Sequence, residues 1–190
     1  MSFGAPQPGP VEDGNCGRTL EDIFHMAICR SVAAGATYVA SAGNDSADVG
    51  QVAPAGYREV MAVSALTDFD GRAGGRGRPW PACSRFLGPA ISQLRDDTFA
   101  FFSNFGRSVD LIAPGVCILS TDRRGKYALT GETSISAPHV TGGAALYKAT
   151  HPAVSAAKVR AVLMRNGQFN WNDIDDPDSK KEPLLNVARL

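Results

Sequence analysis

The chain predicts an α/β fold: a largely parallel sheet with helices on both faces. Three observations carry this. Thr37–Ala42 (T-Y-V-A-S-A) is a short β-prone run stopped by Gly43-Asn44-Asp45, a strong turn signal. Val60–Ala65 (V-M-A-V-S-A) is a second apolar run of the kind that fills a buried strand. Ahead of the first run, Leu20, Ile23, Ala27 and Val32 recur at near-helical spacing. Elements of both types alternating at this spacing favour parallel strands with helices packed on the sheet.

Taken in order, residues 1–18 are rich in Gly and Pro and read as a strand end followed by a loop. Thr19 can cap the first helix, Glu21 and Asp22 suit its positive first turn, and Gly35 ends it. Residues 70–81, D-G-R-A-G-G-R-G-R-P-W-P, read as a surface loop, and the region 70–98 as loop-rich. Strands are expected at Phe99–Ser103, Val109–Ala113 and Val116–Ser120, with a hairpin tip at Arg123–Lys126. From Ser134 to about Lys148 the side chains are small and apolar on every side, which predicts a buried central helix. Ser155–Asn166 is amphipathic and stops at Gly167, and 167–183 is a loop-rich tail. Asp173, Asp175, Asp176 and Asp178 lack the central glycine of a calcium loop and are interrupted by Pro177, so they read as a solvated turn.

At 190 residues and 44% hydrophobic content, one domain with a real core is expected. Nineteen basic residues balance nineteen acidic ones. That argues against a nucleic-acid partner, which needs surplus positive charge, even though Arg72, Arg76 and Arg78 cluster near Trp80. No apolar run approaches the roughly 20 residues of a membrane span, so no membrane partner is expected. M-S-F-G-A-P-Q-P-G-P has neither the basic segment nor the apolar core of a signal peptide. Cys16, Cys29, Cys83 and Cys117 form no C-x-x-C pair, so the signature of a structural zinc site is missing. They suit either two disulfides, in any of three connectivities, or four buried thiols.

The chemistry concentrates in Gly131–Gly142, G-E-T-S-I-S-A-P-H-V-T-G. A serine among small residues at the opening of a helix sits where unpaired N–H groups and a partial positive charge favour an oxyanion. Alone, such a serine would be read as an N-cap. Here T-S-I-S-A-P-H-V resembles the nucleophile segment of the subtilisin-like serine peptidases, the subtilases. V-A-S-A-G-N-D at Val39–Asp45 is similar to the family segment whose asparagine donates to the oxyanion, and Met1–Gly4 to the edge that pairs with an extended substrate. Ala53–Ala65, Phe101–Gly106, Asp110–Val116 and Leu184–Leu190 match further landmarks in order, so the resemblance covers nearly the whole chain.

The resemblance implies a serine endopeptidase with Ser134 as nucleophile and Asn44 as oxyanion donor. Ser2, Phe3, Gly4, Ser41, Ala42, Gly43 and Thr133 would bind a peptide or protein substrate. It also implies secretion, bridges Cys16–Cys29 and Cys83–Cys117, no required cofactor, and a structural calcium held by backbone carbonyls of Ala53–Tyr57. Two departures stand out. The family's D-T/S-G aspartate and H-G-T-H histidine motifs are absent, and His25, His139 and His151 match neither. Residues 1–190 then read as the C-terminal half of a subtilase domain, inactive alone, with the missing N-terminal half as a partner. The rival is a non-catalytic peptide-binding or scaffold remnant. Glu132, second, stands where the family carries glycine. It adds bulk and negative charge beside the oxyanion and is expected to slow turnover.

Overall fold

The computed structural model describes residues 1–11, 16, 22–178, 180–188 and 190. In chain order the elements are β1 (Ala5–Pro6), α1 (Ile23–Ala33), β2 (Tyr38–Ser41), β3 (Val52–Ala53), β4 (Val60–Thr67), α2 (Pro81–Leu87), β5 (Thr98–Phe99), β6 (Val109–Pro114), β7 (Ile118–Asp122), β8 (Lys126–Thr130), α3 (Thr133–Thr150) and α4 (Ala156–Asn166). β4 runs parallel to β2 on one side and to β6 on the other, and β5 pairs antiparallel with the end of β4. β1–β3 and β7–β8 are separate antiparallel pairs. The α/β fold with a mixed, mainly parallel central sheet agrees with the expectation.

The period-two alternation of the strands divides the core. Val39, Met61, Val63, Leu111 and Ala113 pack with Ala137, Val140 and Ala144 of α3 and Val159 and Leu163 of α4. Their neighbours Ala40, Ala42, Val60, Ala62 and Val109 pack with Ile28 of α1 on the opposite face. β4 is buried at all eight positions, which is why it reads as a continuous apolar run rather than an alternating one.

Several local expectations shift by a few residues. Thr19, Leu20 and Glu21 lie outside the described residues; the described helix starts at Ile23, where Asp22 Oδ1 accepts from His25 N at 2.8 Å. The strand expected at Phe99–Ser103 ends at Phe99, because Ser103 N turns back to the Ala100 carbonyl. α2, within 70–98, was not anticipated; Pro81 opens it at a position where its missing N–H costs nothing. The glycine-rich loop before it is organised by two carboxylates. Asp96 accepts from Phe69 and Gly77, and Asp97 from Gly74 and Gly75. α3 is not buried all round. Ser136, Ala137, Val140, Gly143 and Ala144 face inward, while Pro138, His139, Gly142 and Leu146 are exposed, since the sheet and α4 cover one side only. Cys16–Cys29 and Cys83–Cys117 are bonded, with Cα separations of 5.6 and 5.5 Å. Among the described residues no helix is long and apolar enough to cross a membrane.

Candidate active site

β2 delivers the chain at Ser41 to a loop, Ala42–Ala47, and a buried asparagine shapes that loop. Asn104 Nδ2 donates to the Ala42 carbonyl at 2.9 Å, and its Oδ1 accepts from Asp45 N and Ala47 N at 2.9 and 3.0 Å. Its own N–H donates to the Gly43 carbonyl. Gly43 is required twice over. Its φ is +109°, and a Cβ there would lie 2.3 Å from Asn104 Nδ2. Asn104 lies within the Phe101–Gly106 landmark, yet nothing local marks it as the clamp for a loop some sixty positions earlier.

That clamp sets Asn44 against the start of α3. Asn44 Oδ1 accepts from both Thr133 N and Thr133 Oγ1, each at 2.9 Å. Thr133 Oγ1 in turn accepts from Gly43 N at 3.1 Å. Thr133 is fully buried, which anchors the inner corner of this triangle, while Asn44 reaches the surface. The acceptor end of the Asn44 amide is thereby committed, and its Nδ2 is the end left to donate. Ser134 follows, half-buried, in the first turn of α3, where its N–H has no intrahelical acceptor.

The edge segment closes the other side. Ser41 N donates to the Met1 carbonyl at 3.0 Å, and the Met1 amino group donates to the Val39 carbonyl, extending the parallel pairing outward from β2. Ser2 Oγ donates to the Ser134 carbonyl at 2.9 Å, and Ser134 Oγ lies 3.4 Å from the Ser2 carbonyl. Phe3, Gly4, Ser41, Gly43, Asn44 and Ser134 line one cavity of about 170 Å³ together with Pro6, Asp45 and Val52. Of the nine residues singled out in the sequence, six therefore line one cleft. Ser2 bonds Ser134 at the surface and Thr133 bonds Asn44 from the buried side, neither lining the cleft. Ala42, fully buried, takes part only through its carbonyl.

None of the three histidines contacts Ser134 among the described residues. His25 is fully buried, with Nε2 2.8 Å from Glu59 Oε2. His139 Nδ1 bonds the Ile135 carbonyl, and His151 Nδ1 bonds Thr150 and the Tyr147 carbonyl. Glu132 is exposed, and its backbone (φ −172°, ψ 165°) is extended, a conformation open to any residue. The strained backbone that would demand glycine there is absent.

Ala53–Tyr57, the stretch expected to offer carbonyls to a calcium ion, uses part of them within its own turns. The carbonyls of Val52, Pro54 and Tyr57 already accept from the N–H groups of Gly56, Tyr57 and Val60. The carboxylate near this loop, on Asp22, holds the Tyr57 hydroxyl and caps α1. Calcium prefers six to eight oxygens, and two of the five carbonyls in this stretch, those of Pro54 and Tyr57, already serve its own turns. Asp68, Asp70 and Asp96 come together, but their oxygens accept backbone N–H groups of their own loop.

Comparison with known proteins gives a consistent result. A family model described as the subtilase family matches residues 1–183. The chain is 32% identical over 177 residues to the subtilisin-like serine protease Pen c 2 of Penicillium citrinum, covering 92% of this chain and 29% of that protein. It is 33% identical over 141 residues to an extracellular serine proteinase of Thermus sp. (strain Rt41A), covering 73% and 28%. A crystal structure of a cold-adapted subtilisin-like serine proteinase superposes with a TM-score of 0.68 at 26% identity, covering 97% of this chain and 52% of that one. The chain thus spans about a quarter of the length of these curated relatives.

Proposed function

The chain belongs to the subtilase family, and from that premise we propose that its cleft is the nucleophile and oxyanion part of a serine endopeptidase site. Ser134 Oγ attacks the scissile carbonyl and forms an acyl-enzyme. Asn44 Nδ2 and the Ser134 N–H donate to the oxyanion, helped by the positive end of α3. The observation that carries this reading is the double donation from Thr133 to Asn44 Oδ1, which orients a side-chain amide beside Ser134 at no cost during the reaction. Phe3, Gly4, Ser41 and Gly43 flank the substrate backbone. The chemistry is carried by side chains and needs no cofactor. The Thermus relative is an extracellular proteinase, and that setting together with the two disulfides here supports secretion.

A hydroxyl at its ordinary pKa is a poor nucleophile without a base within about 2.6–3.2 Å. The three histidines are engaged elsewhere, and the sequence holds neither D-T/S-G nor H-G-T-H. We infer that the 190-residue chain does not cleave peptides by itself and that a segment bearing those two motifs completes it. The same observation favours a second reading, a peptide-binding remnant that retains the cleft without the chemistry. A serine-directed phosphonate separates the two. Labelling of Ser134 that appears when the motif-bearing half is added, and is lost in Ser134→Ala, supports the peptidase. Peptide binding at the cleft with no labelling under either condition supports the remnant.

A further inference from the structure

The Cys16–Cys29 bridge lies against two further metal-ligating side chains. Cys16 Sγ is 3.3 Å from Glu59 Oε1, and His25 Nε2 is 2.8 Å from Glu59 Oε2. One ligand atom each from Cys16, His25, Cys29 and Glu59 falls within 4.8 Å of the other three. Tetrahedral zinc, with bonds of about 2.0–2.3 Å, holds its ligand atoms roughly 3.3–3.8 Å apart, so small side-chain movements suffice. His25 is fully buried and stacked on Tyr57, 4.0 Å between ring centroids, which fixes its ring. Its Nδ1, on the other side of the ring, is buried with no hydrogen-bond partner and lies 3.8 Å from Asp22 Oδ2. A histidine ligand commonly directs its second nitrogen at a carboxylate in this way.

We propose that reduction of Cys16–Cys29 converts this cluster into a zinc site, with Cys16, Cys29, His25 and Glu59 as ligands and Asp22 orienting His25. The disulfide form lacks thiolates and leaves the site closed to metal. A dithiol reductant opens it. The protein S–S bond breaks, the reductant's two sulfurs join as its own disulfide, and its two protons pass to Cys16 and Cys29. The bridge gains the two electrons that the reductant loses. Zinc then displaces those protons to water as it binds the thiolates. Cys16 is exposed, which gives both reductant and metal a way in, whereas Cys83 is fully buried and Cys117 nearly so. Bound zinc would join the same residues as the bridge, Cys16 and Cys29 of α1, and tie them also to Glu59 just before β4. The covalent clamp would thus be exchanged for a metal one when conditions turn reducing. Cysteine spacing could not reveal this, because His25 and Glu59 are 34 positions apart and meet only in the fold.

The test measures zinc bound per chain by metal analysis after dialysis, and cobalt binding by its thiolate charge-transfer absorption. Four forms of the 190-residue chain are compared: oxidised, reduced, reduced Cys16→Ser/Cys29→Ser, and reduced His25→Gln/Glu59→Gln. One equivalent of zinc is expected on the reduced wild type and none on the oxidised chain or the serine variant. The His25/Glu59 variant should bind at least a hundredfold more weakly, and Asp22→Asn, which keeps the helix cap, about 10- to 100-fold more weakly. If reduction unfolds the chain, zinc should restore its circular-dichroism signal. A reduced chain that neither binds zinc nor refolds with it overturns the proposal. So does equal binding by either the serine variant or the His25/Glu59 variant.

Discussion

Replacing Arg160 by Met tests how β6, β4 and α4 are held together. Asp110 is 3% exposed, on a strand between two packed layers. Arg160 donates to Asp110 Oδ1 from Nε at 2.8 Å and from Nη2 at 2.5 Å, and Nη1 donates to the Arg58 carbonyl. Ala62 N adds a bond to Oδ2 at 3.1 Å. Met keeps much of the apolar stem but leaves the carboxylate buried with one neutral donor. Removing one partner of a buried ion pair costs about 3–5 kcal/mol. The Arg160 side chain is 29% exposed, which allows water to reach the vacated position. The low end, about 3 kcal/mol, is therefore expected. At roughly 2–4 °C per kcal/mol for a chain of this size, Tm should fall by about 6–12 °C.

The pH dependence has a definite sign. Burial already holds the Asp110 carboxyl above its ordinary range, against the lowering effect of Arg160. Without Arg160 it should rise further, so the destabilisation is full near neutrality and shrinks as acid protonates the group. Asp110→Asn added to Arg160→Met should recover part of the loss. Urea denaturation at two pH values, checked by circular dichroism, measures both effects. A loss below about 1 kcal/mol, the range of a surface pair, or one that grows on acidification, would refute the reasoning.

Three further outcomes are expected. Burial pushes Glu182 up to about 8 despite Lys180 nearby, so its stabilising contribution is present below its ordinary pKa and is lost as pH rises through about 8; Glu182→Gln should therefore gain on the wild type between about pH 5 and 8 in chemical denaturation. Thr133→Val leaves Gly43 N without its acceptor and Asn44 without one of its two donors; it should destabilise the fold by about 1–3 kcal/mol and slow phosphonate labelling of the completed peptidase, as measured by melting and labelling rate. Loss of Cys83–Cys117, which spans 34 residues, should cost about 4 kcal/mol against about 3 for Cys16–Cys29, which spans 13, read from denaturation of the two double-serine variants.

The parts of this protein legible without a structure are those whose cause is local. The buried runs at β2 and β4, the turn at Gly43-Asn44, the amphipathic stretch that stops at Gly167 and the small-residue opening of α3 each arise within a few neighbouring positions. The candidate cleft was legible for a different reason: Ser134, Asn44 and Met1–Gly4 lie in motifs whose resemblance to subtilases extends along the chain. Glu132 shows the limit of such reading, since a departure from a family letter says nothing of its dihedral angles, and here the backbone is extended.

Tertiary structure alone decided the contacts that give those motifs geometry. Thr133 orients Asn44 across 89 positions, Asn104 clamps the Ala42 carbonyl across 62, and Arg160 meets Asp110 across 50. None has a spacing to read, because a hydrogen bond between distant segments depends on how the sheet and helices dock rather than on any period along the chain. The same holds for burial. α3 looks apolar all round in sequence, yet only one face is covered, since composition records what a surface would tolerate and packing determines what lies against it. His25 shows this most plainly. As a letter it is an unmatched histidine on a helix; in the fold it is fully buried between Glu59, Tyr57 and the Cys16–Cys29 bridge.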